Sequence, residues 1–198
     1  MKKTIFVSLI ILLSYTNLKA QYSAFAIKVG NNFSTLKGSD ADGLKTKSGL
    51  YIATLYRIQT SDFFSIDFGL DYSSLGANGP NDSLSIRLGY LDYPIMLKYN
   101  VYYGLTIEAG LELGMMIYSK YGNKEFDYAE DFKFFDARYV AGFGYHHDSG
   151  LAVDLVYKAG FSSIGKESED YSTYATTTKP ALDLKHSAYM ISLTYYFD

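Results

Sequence analysis

The last eleven residues of the chain, AYMISLTYYFD, alternate strictly between two kinds of side chain. One parity forms a continuous apolar and aromatic face made of Tyr189, Ile191, Leu193, Tyr195 and Phe197. The other parity carries Met190, Ser192, Thr194 and Tyr196. A chain that ends on such a strand is suited to a transmembrane barrel whose final strand pairs with its first, because closure leaves no unpaired strand edge in lipid.

The same alternation recurs along the chain. It predicts eight strands, near residues 24–33, 48–58, 62–73, 84–99, 103–118, 133–146, 150–161 and 186–197. Long polar segments at 34–47, 74–83, 119–132 and 162–185 alternate with tight turns around 59–61, 100–102 and 147–149. Outer-membrane barrels have an even number of strands, long outer loops and short periplasmic turns. The sequence therefore predicts an all-β, eight-stranded antiparallel up-and-down transmembrane β-barrel with both termini in the periplasm.

The first twenty residues, MKKTIFVSLIILLSYTNLKA, have the pattern of a signal peptide. Two lysines precede an apolar run that is about half the roughly 20 residues that a spanning helix needs. We expect residues 1–20 to be a cleaved signal and residues 21–198 to form the barrel domain, in the outer membrane of a Gram-negative bacterium. Removing three lysines from 18 basic residues leaves 15 against 21 acidic ones, a net charge of −6. No nucleic-acid partner is expected at that charge.

Composition supports a membrane barrel over a soluble sandwich. Alternation alone does not separate them, because a soluble sandwich buries its apolar face and exposes its charged face to water. The chain has 21 Tyr, 13 Phe and 17 Gly, and aromatic residues populate membrane interfaces while glycine relieves crowding in curved sheets. Together with the signal and the alternating loop lengths, this favours the barrel.

The charges predict what fills the barrel. In the predicted register, eleven charged residues point inward: Lys28, Arg57, Arg87, Lys98, Arg138, Lys158, Asp67, Asp71, Glu108, Glu112 and Asp154. An eight-stranded barrel is only wide enough for its own side chains, and buried charges need partners. Six positive charges nearly balance five negative ones, so we expect a salt-bridged interior without an open pore.

The fourth predicted strand changes phase. Its apolar residues occupy even positions at Ile86, Leu88 and Tyr90, whereas from Tyr93 onward they occupy odd positions. A shift of one residue next to Pro94 predicts a β-bulge in this strand.

This strand also carries a family resemblance. Its segment YLDYPIMLKY contains Tyr90, Leu91, Pro94, Lys98 and Tyr99, and it resembles the Tyr-Leu-x-x-Pro-hydrophobic-Lys-Tyr strand of PorT-like outer-membrane β-barrel domains. The LKAQ junction, the GLYIATLYR segment and the aromatic C-terminus are similar too. The resemblance covers essentially the whole mature chain and implies a small eight-stranded outer-membrane barrel. The founding member of that family takes part in a protein secretion and maturation system, a role that no residue here marks.

Two histidine patterns are candidates for chemistry. His146 and His147 precede Asp148 at a predicted turn, and His186 precedes Ser187. Neighbouring residues of a strand point to opposite faces, so a shared metal ion or a His–Ser acyl-transfer pair is disfavoured. The acidic loop residues Glu125, Asp127, Glu130 and Asp131 lack the ordered spacing of a calcium loop. We expect no catalytic residue, no cofactor and no metal, with hydrolase or acyltransferase activity as the less favoured alternative.

The sequence thus favours a structural or surface-recognition role carried by the long outer loops. Two alternatives stay open, a narrow porin for ions or small solutes and a membrane subunit of a secretion assembly. The expected partners are outer-membrane lipid, the barrel-insertion machinery during biogenesis, and an unidentified surface ligand or secretion-system protein.

Overall fold

The computed structural model describes residues 22–79, 85–121, 132–166, 168–172, 175–179 and 181–197. The predicted signal peptide and the acidic residues at 125–131 lie outside these ranges. The strands are β1 (Tyr22–Lys37), β2 (Lys47–Gln59), β3 (Phe64–Asn78), β4 (Ser85–Tyr102), β5 (Leu105–Tyr121), β6 (Phe135–His146), β7 (Leu151–Gly160), β8 (Ser168–Ser172), β9 (Ala175–Lys179) and β10 (Lys185–Phe197). In the part of the chain that is described, no helix is long and apolar enough to cross a membrane.

Eight of these strands close into an antiparallel barrel in the order β1-β10-β7-β6-β5-β4-β3-β2. The first and last barrel strands pair from Phe25 opposite Phe197 to Lys37 opposite Lys185. The predicted eight-stranded barrel is therefore confirmed, and so is its closure through the C-terminal strand. The remaining strands, β8 and β9, form a separate hairpin within the predicted long segment 162–185.

The two ends of the barrel differ. At one end, which we name the turn end, the strands are joined by residues 60–63, 103–104 and 147–150. At the other, the loop end, the connections are longer, and β1, β3 and β5 extend three to five residues past their predicted limits. β3 and β4 are still paired at Asn78 and Ser85. The predicted strands stop where the outward apolar row stops, whereas the backbone ladder continues with polar residues or glycine outside and with Leu36, Leu75 and Ala77 buried inside.

The outer surface of the barrel is apolar. Phe25, Ile27 and Val29 on β1 and Ile191 and Leu193 on β10 are each between 43% and 48% exposed. Each of the other barrel strands also exposes apolar residues at alternate positions. Soluble monomers rarely expose so extended an apolar surface, whereas hydrocarbon requires one.

The structure corrects the bulge predicted in β4. Even residues from Ile86 to Lys98 are all buried in the interior. The β3–β4 register is the same on both sides of Pro94. The strand keeps its phase because Ile86, Leu88 and Tyr90 face inward into an apolar part of the interior, and are not an outward row.

The β4–β5 ladder has two irregularities, neither of them at Pro94. One is an extra residue on β4, Val101, next to the turn, and the other lies on β5. Gly89 pairs with Tyr118 while Tyr90 pairs with Met116, which leaves Ile117 as the extra residue. The Tyr118 ring lies over Gly89, where a Cβ atom would overlap it. An aromatic ring that covers a strand glycine is a known way to support a bent sheet.

Candidate functional site: the barrel interior

The structure places ten of the eleven predicted inward charges in the interior, namely Lys28, Arg57, Asp67, Asp71, Lys98, Glu108, Glu112, Arg138, Asp154 and Lys158. The prediction for Arg87 is wrong, because its side chain is exposed on the outside of β4. Its neighbours Ile86 and Leu88 are the inward residues there, so the parity of this segment is the reverse of the expected one.

Two inward carboxylates are missing from the prediction. Asp92 and Asp136 are 1% and 5% exposed. A signal for Asp92 exists in the sequence, since it alternates with the exposed Leu91 and Tyr93. Among the described residues, the buried charged side chains are therefore five basic and seven acidic, and the near balance of six to five does not hold.

The charges form two separate layers. The layer nearer the turns, named here the turn-side layer, consists of Lys28, Arg57, Lys98, Asp67, Glu108 and Asp154. Arg57 Nε lies 2.7 Å from Asp67 Oδ1, and Lys98 Nζ lies 2.9 Å from Glu108 Oε2. Asp154 forms salt bridges with two lysines, with Lys98 Nζ at 3.1 Å and Lys28 Nζ at 2.9 Å. Three cations meet three carboxylates, so this layer is neutral.

Tyrosine and histidine complete the turn-side layer. The Tyr196 hydroxyl donates to Asp67 Oδ2 at 2.7 Å and accepts from Arg57 Nη2 at 2.5 Å. His146 stacks on the Tyr196 ring with centroids 5.0 Å apart, and its Nδ1 lies 2.7 Å from Arg57 Nη1. The guanidinium of Arg57 is thus held on three sides.

The second layer, named the loop-side layer, consists of Asp71, Asp92, Glu112, Asp136, Arg138 and Lys158. Arg138 contacts Asp92 through Nη2, and it lies 2.9 Å from Glu112 Oε1 and 3.3 Å from Asp136 Oδ2. Lys158 Nζ lies 2.6 Å from Glu112 Oε2. Four carboxyl groups here face two cations, so the carboxyl groups of the loop-side layer outnumber its cations.

Between the layers the barrel is packed with apolar side chains. Met96, Val140, Val156 and Met190 are buried there. They border a void of about 20 Å³ together with side chains of both layers. A space of this size holds about one water molecule.

Beyond the loop-side layer, an apolar cluster fills the end of the barrel. This loop-end plug consists of Leu36, Leu75, Ala77, Ile86, Leu88, Tyr90, Met116, Ile164, Leu184 and Ala188, with Ala41, Leu44 and Phe132 packed against it. Ile164 and Leu184 belong to the connection between β7 and β10, and the Ile164 amide donates to the Leu184 carbonyl at 2.7 Å. The connection therefore folds inward over the strands.

The turn end is open but shallow. A polar cavity of about 200 Å³ is lined there by Arg57, Lys98, Asn100, Thr106 and His146, with other turn residues. Its inner wall is the turn-side layer, because Arg57 and Lys98 belong to both.

The predicted histidine pairs diverge. His146 faces Arg57 inside the barrel, whereas His147 is exposed and its Nδ1 accepts from the Ser149 amide at 3.1 Å. His186 is buried with Nε2 3.0 Å from the Tyr90 hydroxyl, while Ser187 Oγ lies 3.0 Å from the Tyr157 hydroxyl. Neither pair brings two side chains to one point.

One group of carboxylates does converge. Within the described ranges, Asp71, Asp92 and Glu112 each bring an oxygen within 4.8 Å of the others. Arg138 and Lys158 already supply positive charge to Glu112, at 2.9 Å and 2.6 Å. This arrangement is that of an internal salt-bridge network.

The two predicted strand motifs have defined positions. In the YLDYPIMLKY strand, Tyr90, Pro94 and Lys98 face the interior, and Leu91 and Tyr99 face outward. In the C-terminal strand, Tyr189, Ile191, Leu193, Tyr195 and Phe197 are all exposed on the outside.

A comparison with known families finds a match to the outer membrane protein beta-barrel domain over residues 16–165. No curated protein matches the sequence significantly. Among solved structures, the Neisserial surface protein A is similar with a TM-score of 0.58 at 10% identity, covering 89% of this chain and 99% of that one. The attachment invasion locus protein Ail of Yersinia pestis has a TM-score of 0.49 at 14% identity, covering 88% and 99%. OprG of Pseudomonas aeruginosa has 0.46 at 15%, covering 89% and 96%.

Proposed function

The chain belongs to the outer membrane protein beta-barrel domain family, and from this premise we propose that it is a closed, non-conducting barrel with a structural or surface-recognition role. Its long connections would carry the recognition at the cell surface, since binding residues are disproportionately found on loops held by a rigid scaffold. Outer-membrane lipid and the barrel-insertion machinery are its proposed partners.

The observation that carries this proposal is that four successive groups of side chains fill the interior along the barrel axis. A solute entering at the turn end meets Arg57 and Lys98, which are paired with buried carboxylates. It then meets the methionine and valine packing, the loop-side layer and the loop-end plug. Opening a path requires separating buried ion pairs, and breaking such a pair costs about 3–5 kcal/mol.

The proposed orientation puts the turn end in the periplasm and the loop end outside. Both ends of the described barrel chain, at β1 and at the end of β10, lie at the turn end. This arrangement agrees with outer-membrane barrels, whose short turns are periplasmic. We propose the same location for the two termini.

Catalysis is not part of the proposal. The His186 ring contacts Tyr90 inside the barrel, while Ser187 contacts Tyr157 on the other face of β10. A nucleophile and its base must lie within hydrogen-bond reach of each other. The divergence of these side chains supports a non-enzymatic role.

A second candidate is a membrane subunit of a secretion assembly. The feature in its favour is the resemblance of the Pro94 strand to PorT-like domains, with Tyr90, Leu91, Lys98 and Tyr99 at the matching positions. The proposed PorT-like assignment concerns the fold more than the role. Co-purification of the detergent-extracted protein with periplasmic partners would favour this candidate.

Planar-bilayer recording tests the proposed closed barrel. The purified protein is inserted from a preparation in which unboiled and boiled samples migrate differently on a detergent gel, so that the barrel is known to be folded. We expect no stable unitary currents. Large, long-lived unitary currents from that preparation would overturn the proposal.

A further inference from the structure

The charged side chains on the outside of the described barrel strands are all basic. They lie at the loop end, where Lys37 faces Lys185 and Arg87 faces Lys120 across neighbouring strands. The turns at the opposite end expose Asp62 and Asp148, and residues 60–63, 103–104 and 147–150 include no lysine or arginine. The barrel exterior is therefore polarised, with its positive charge on one rim.

Lys37 and Lys185 form the clearest of these pairs. They are Cα partners at the last position of the β1–β10 ladder, and both are exposed. Like charges directly opposite each other destabilise a sheet. Among the residues that the structure describes, no salt bridge joins either lysine to a carboxylate.

The carboxylates nearest to this pair along the chain have other partners. Asp40 Oδ2 accepts from the Asp183 amide at 2.7 Å, and Asp183 Oδ2 accepts from the Ser39 amide at 3.4 Å. These contacts tie the two connections together above the rim. The lysine pair itself is left facing outward.

The depth of the pair matches a lipid headgroup. Lys37 is twelve residues beyond Phe25, the start of the apolar row on β1. At about 3.3 Å per residue and a tilt of about 45°, it lies roughly 28 Å farther along the membrane normal. The apolar band of such barrels is about 25 Å tall, so the lysines lie just beyond the hydrocarbon.

Two tyrosines lie next to the lysines. The rings of Tyr157 and Tyr189 are 5.1 Å apart, and Lys37 Nζ lies 5.9 Å from the Tyr157 ring centroid. Tyr189 is 60% exposed. Tyr189 lies opposite Phe33, four residues below Lys37, and is therefore in the outer part of the apolar band. Tyrosine rings are enriched near this boundary between acyl chains and headgroups.

We propose that Lys37 and Lys185 bind the phosphate of a phosphorylated glycolipid headgroup in the leaflet at the loop end, above Tyr157 and Tyr189. A phosphate between the two ammonium groups offsets their mutual repulsion and makes charge-assisted hydrogen bonds with both. The proposal rests on the membrane assignment of the proposed function and adds the residues that contact lipid.

The test uses the full mature chain, folded in detergent micelles, and fluorescent lipid A as the probe. Wild-type protein is compared with K37Q/K185Q and with K166Q, a control lysine that is exposed in the connection after β7. At roughly 1 kcal/mol per basic residue, the double variant should bind about 30-fold more weakly, while K166Q should bind like the wild type. Dephosphorylated lipid A should bind the wild type as weakly as intact lipid A binds the double variant.

Three results would overturn the proposal: equal binding by wild type and K37Q/K185Q, an equal loss in K166Q, or no preference for the phosphorylated lipid. The K37R/K185R variant keeps both charges and should retain binding. Heat-modifiable migration is recorded on the same samples. A folded, non-conducting barrel without lysine-dependent binding contradicts this inference alone, whereas channel currents contradict the proposed function.

Discussion

Asp71 and Asp92 lie directly opposite each other in the β3–β4 ladder, and both are buried in the barrel interior, 2% and 1% exposed. Arg138 contacts Asp92, whereas the described contact of Asp71 is a hydrogen bond from the neutral Tyr51 hydroxyl at 3.0 Å. Facing carboxylates repel each other across a sheet. The loop-side layer is thus the place where buried carboxyl groups outnumber the cations that contact them.

The two charge layers should respond oppositely to loss of a carboxylate. Asp71→Asn removes a surplus carboxyl group while keeping an acceptor for Tyr51, so the free energy of unfolding should stay the same or rise by up to about 1 kcal/mol. Asp67→Asn removes a balanced charge that Arg57 and Lys98 need, at 2.7 Å and 3.7 Å. That change should cost about 3–5 kcal/mol.

Urea unfolding in lipid vesicles, followed by the heat-modifiable gel shift, measures both carboxylate variants. The difference between them is the informative quantity, since each replaces one buried aspartate by asparagine. Equal losses in the two variants would show that the Asp71 carboxyl group is as important for stability as the paired Asp67 carboxylate, which contradicts this account.

Adjacent tyrosines provide a second comparison. Tyr196→Phe deletes a hydroxyl that bonds Asp67 and Arg57 at 2.7 Å and 2.5 Å, so it should lower the free energy of unfolding by about 1–3 kcal/mol. Tyr195→Phe alters a ring on the outer surface and should change it by less than about 0.5 kcal/mol. Urea titrations of both variants measure this difference. A loss of unfolding free energy in Tyr195→Phe as large as that in Tyr196→Phe would contradict the assignment of Tyr196 to the inside and Tyr195 to the outside of the barrel.

Gly114 makes room for the Arg138–Asp92 ion pair. A Cβ atom at Gly114 would collide with Asp92 Oδ1 and lie 2.7 Å from Arg138 Nη2. Gly114→Ala should therefore cost about 1–3 kcal/mol through overpacking next to the ion pair. Gly160→Ala is the matched control, because its nearest atom would be 3.2 Å away, and it should cost less. If both variants unfold at the same urea concentration, Gly114 has no such role.

The architecture was predictable because its main signal has a period of two. On β10, Leu193 faces out and Thr194 faces in for the same reason that their side chains differ in polarity. A barrel closed in lipid needs this alternation on every strand. The charged residues Lys28 and Asp154 were placed inside by that rule alone, without knowledge of which partners they meet.

The rule that apolar residues face outward fails at the loop end, where the interior is apolar. At the loop end the inside is an apolar plug, so Leu88 faces in and Arg87 faces out, the reverse of the pattern farther down the strand. In a single sequence, a segment whose apolar residues face inward and a segment that follows a β-bulge show the same one-residue shift of the apolar pattern. The true bulge at Ile117 lies in MMIYS, where both parities are apolar or weakly polar and no phase is visible.

The sequence also could not predict which charged side chains pair with each other inside the barrel. Arg138 on β6 meets Asp92 on β4, two strands away, because the barrel is narrow enough for long side chains to cross its interior. The sequence around Arg138 or Asp92 does not specify that these two side chains come within contact distance. The separation into a neutral layer and a layer with surplus carboxyl groups follows from those cross-barrel contacts, which only the closed structure defines.

Labelling with a photoactivatable apolar reagent dissolved in the bilayer tests the central claim most directly. The purified protein in vesicles is irradiated, and the modified residues of β10 are mapped by mass spectrometry. We predict labels on Tyr189, Ile191, Leu193, Tyr195 and Phe197 and none on Ser192 or Thr194, since only the first set lies on the outside. Labels on both parities, or on neither, would contradict a barrel with hydrocarbon outside and a filled interior.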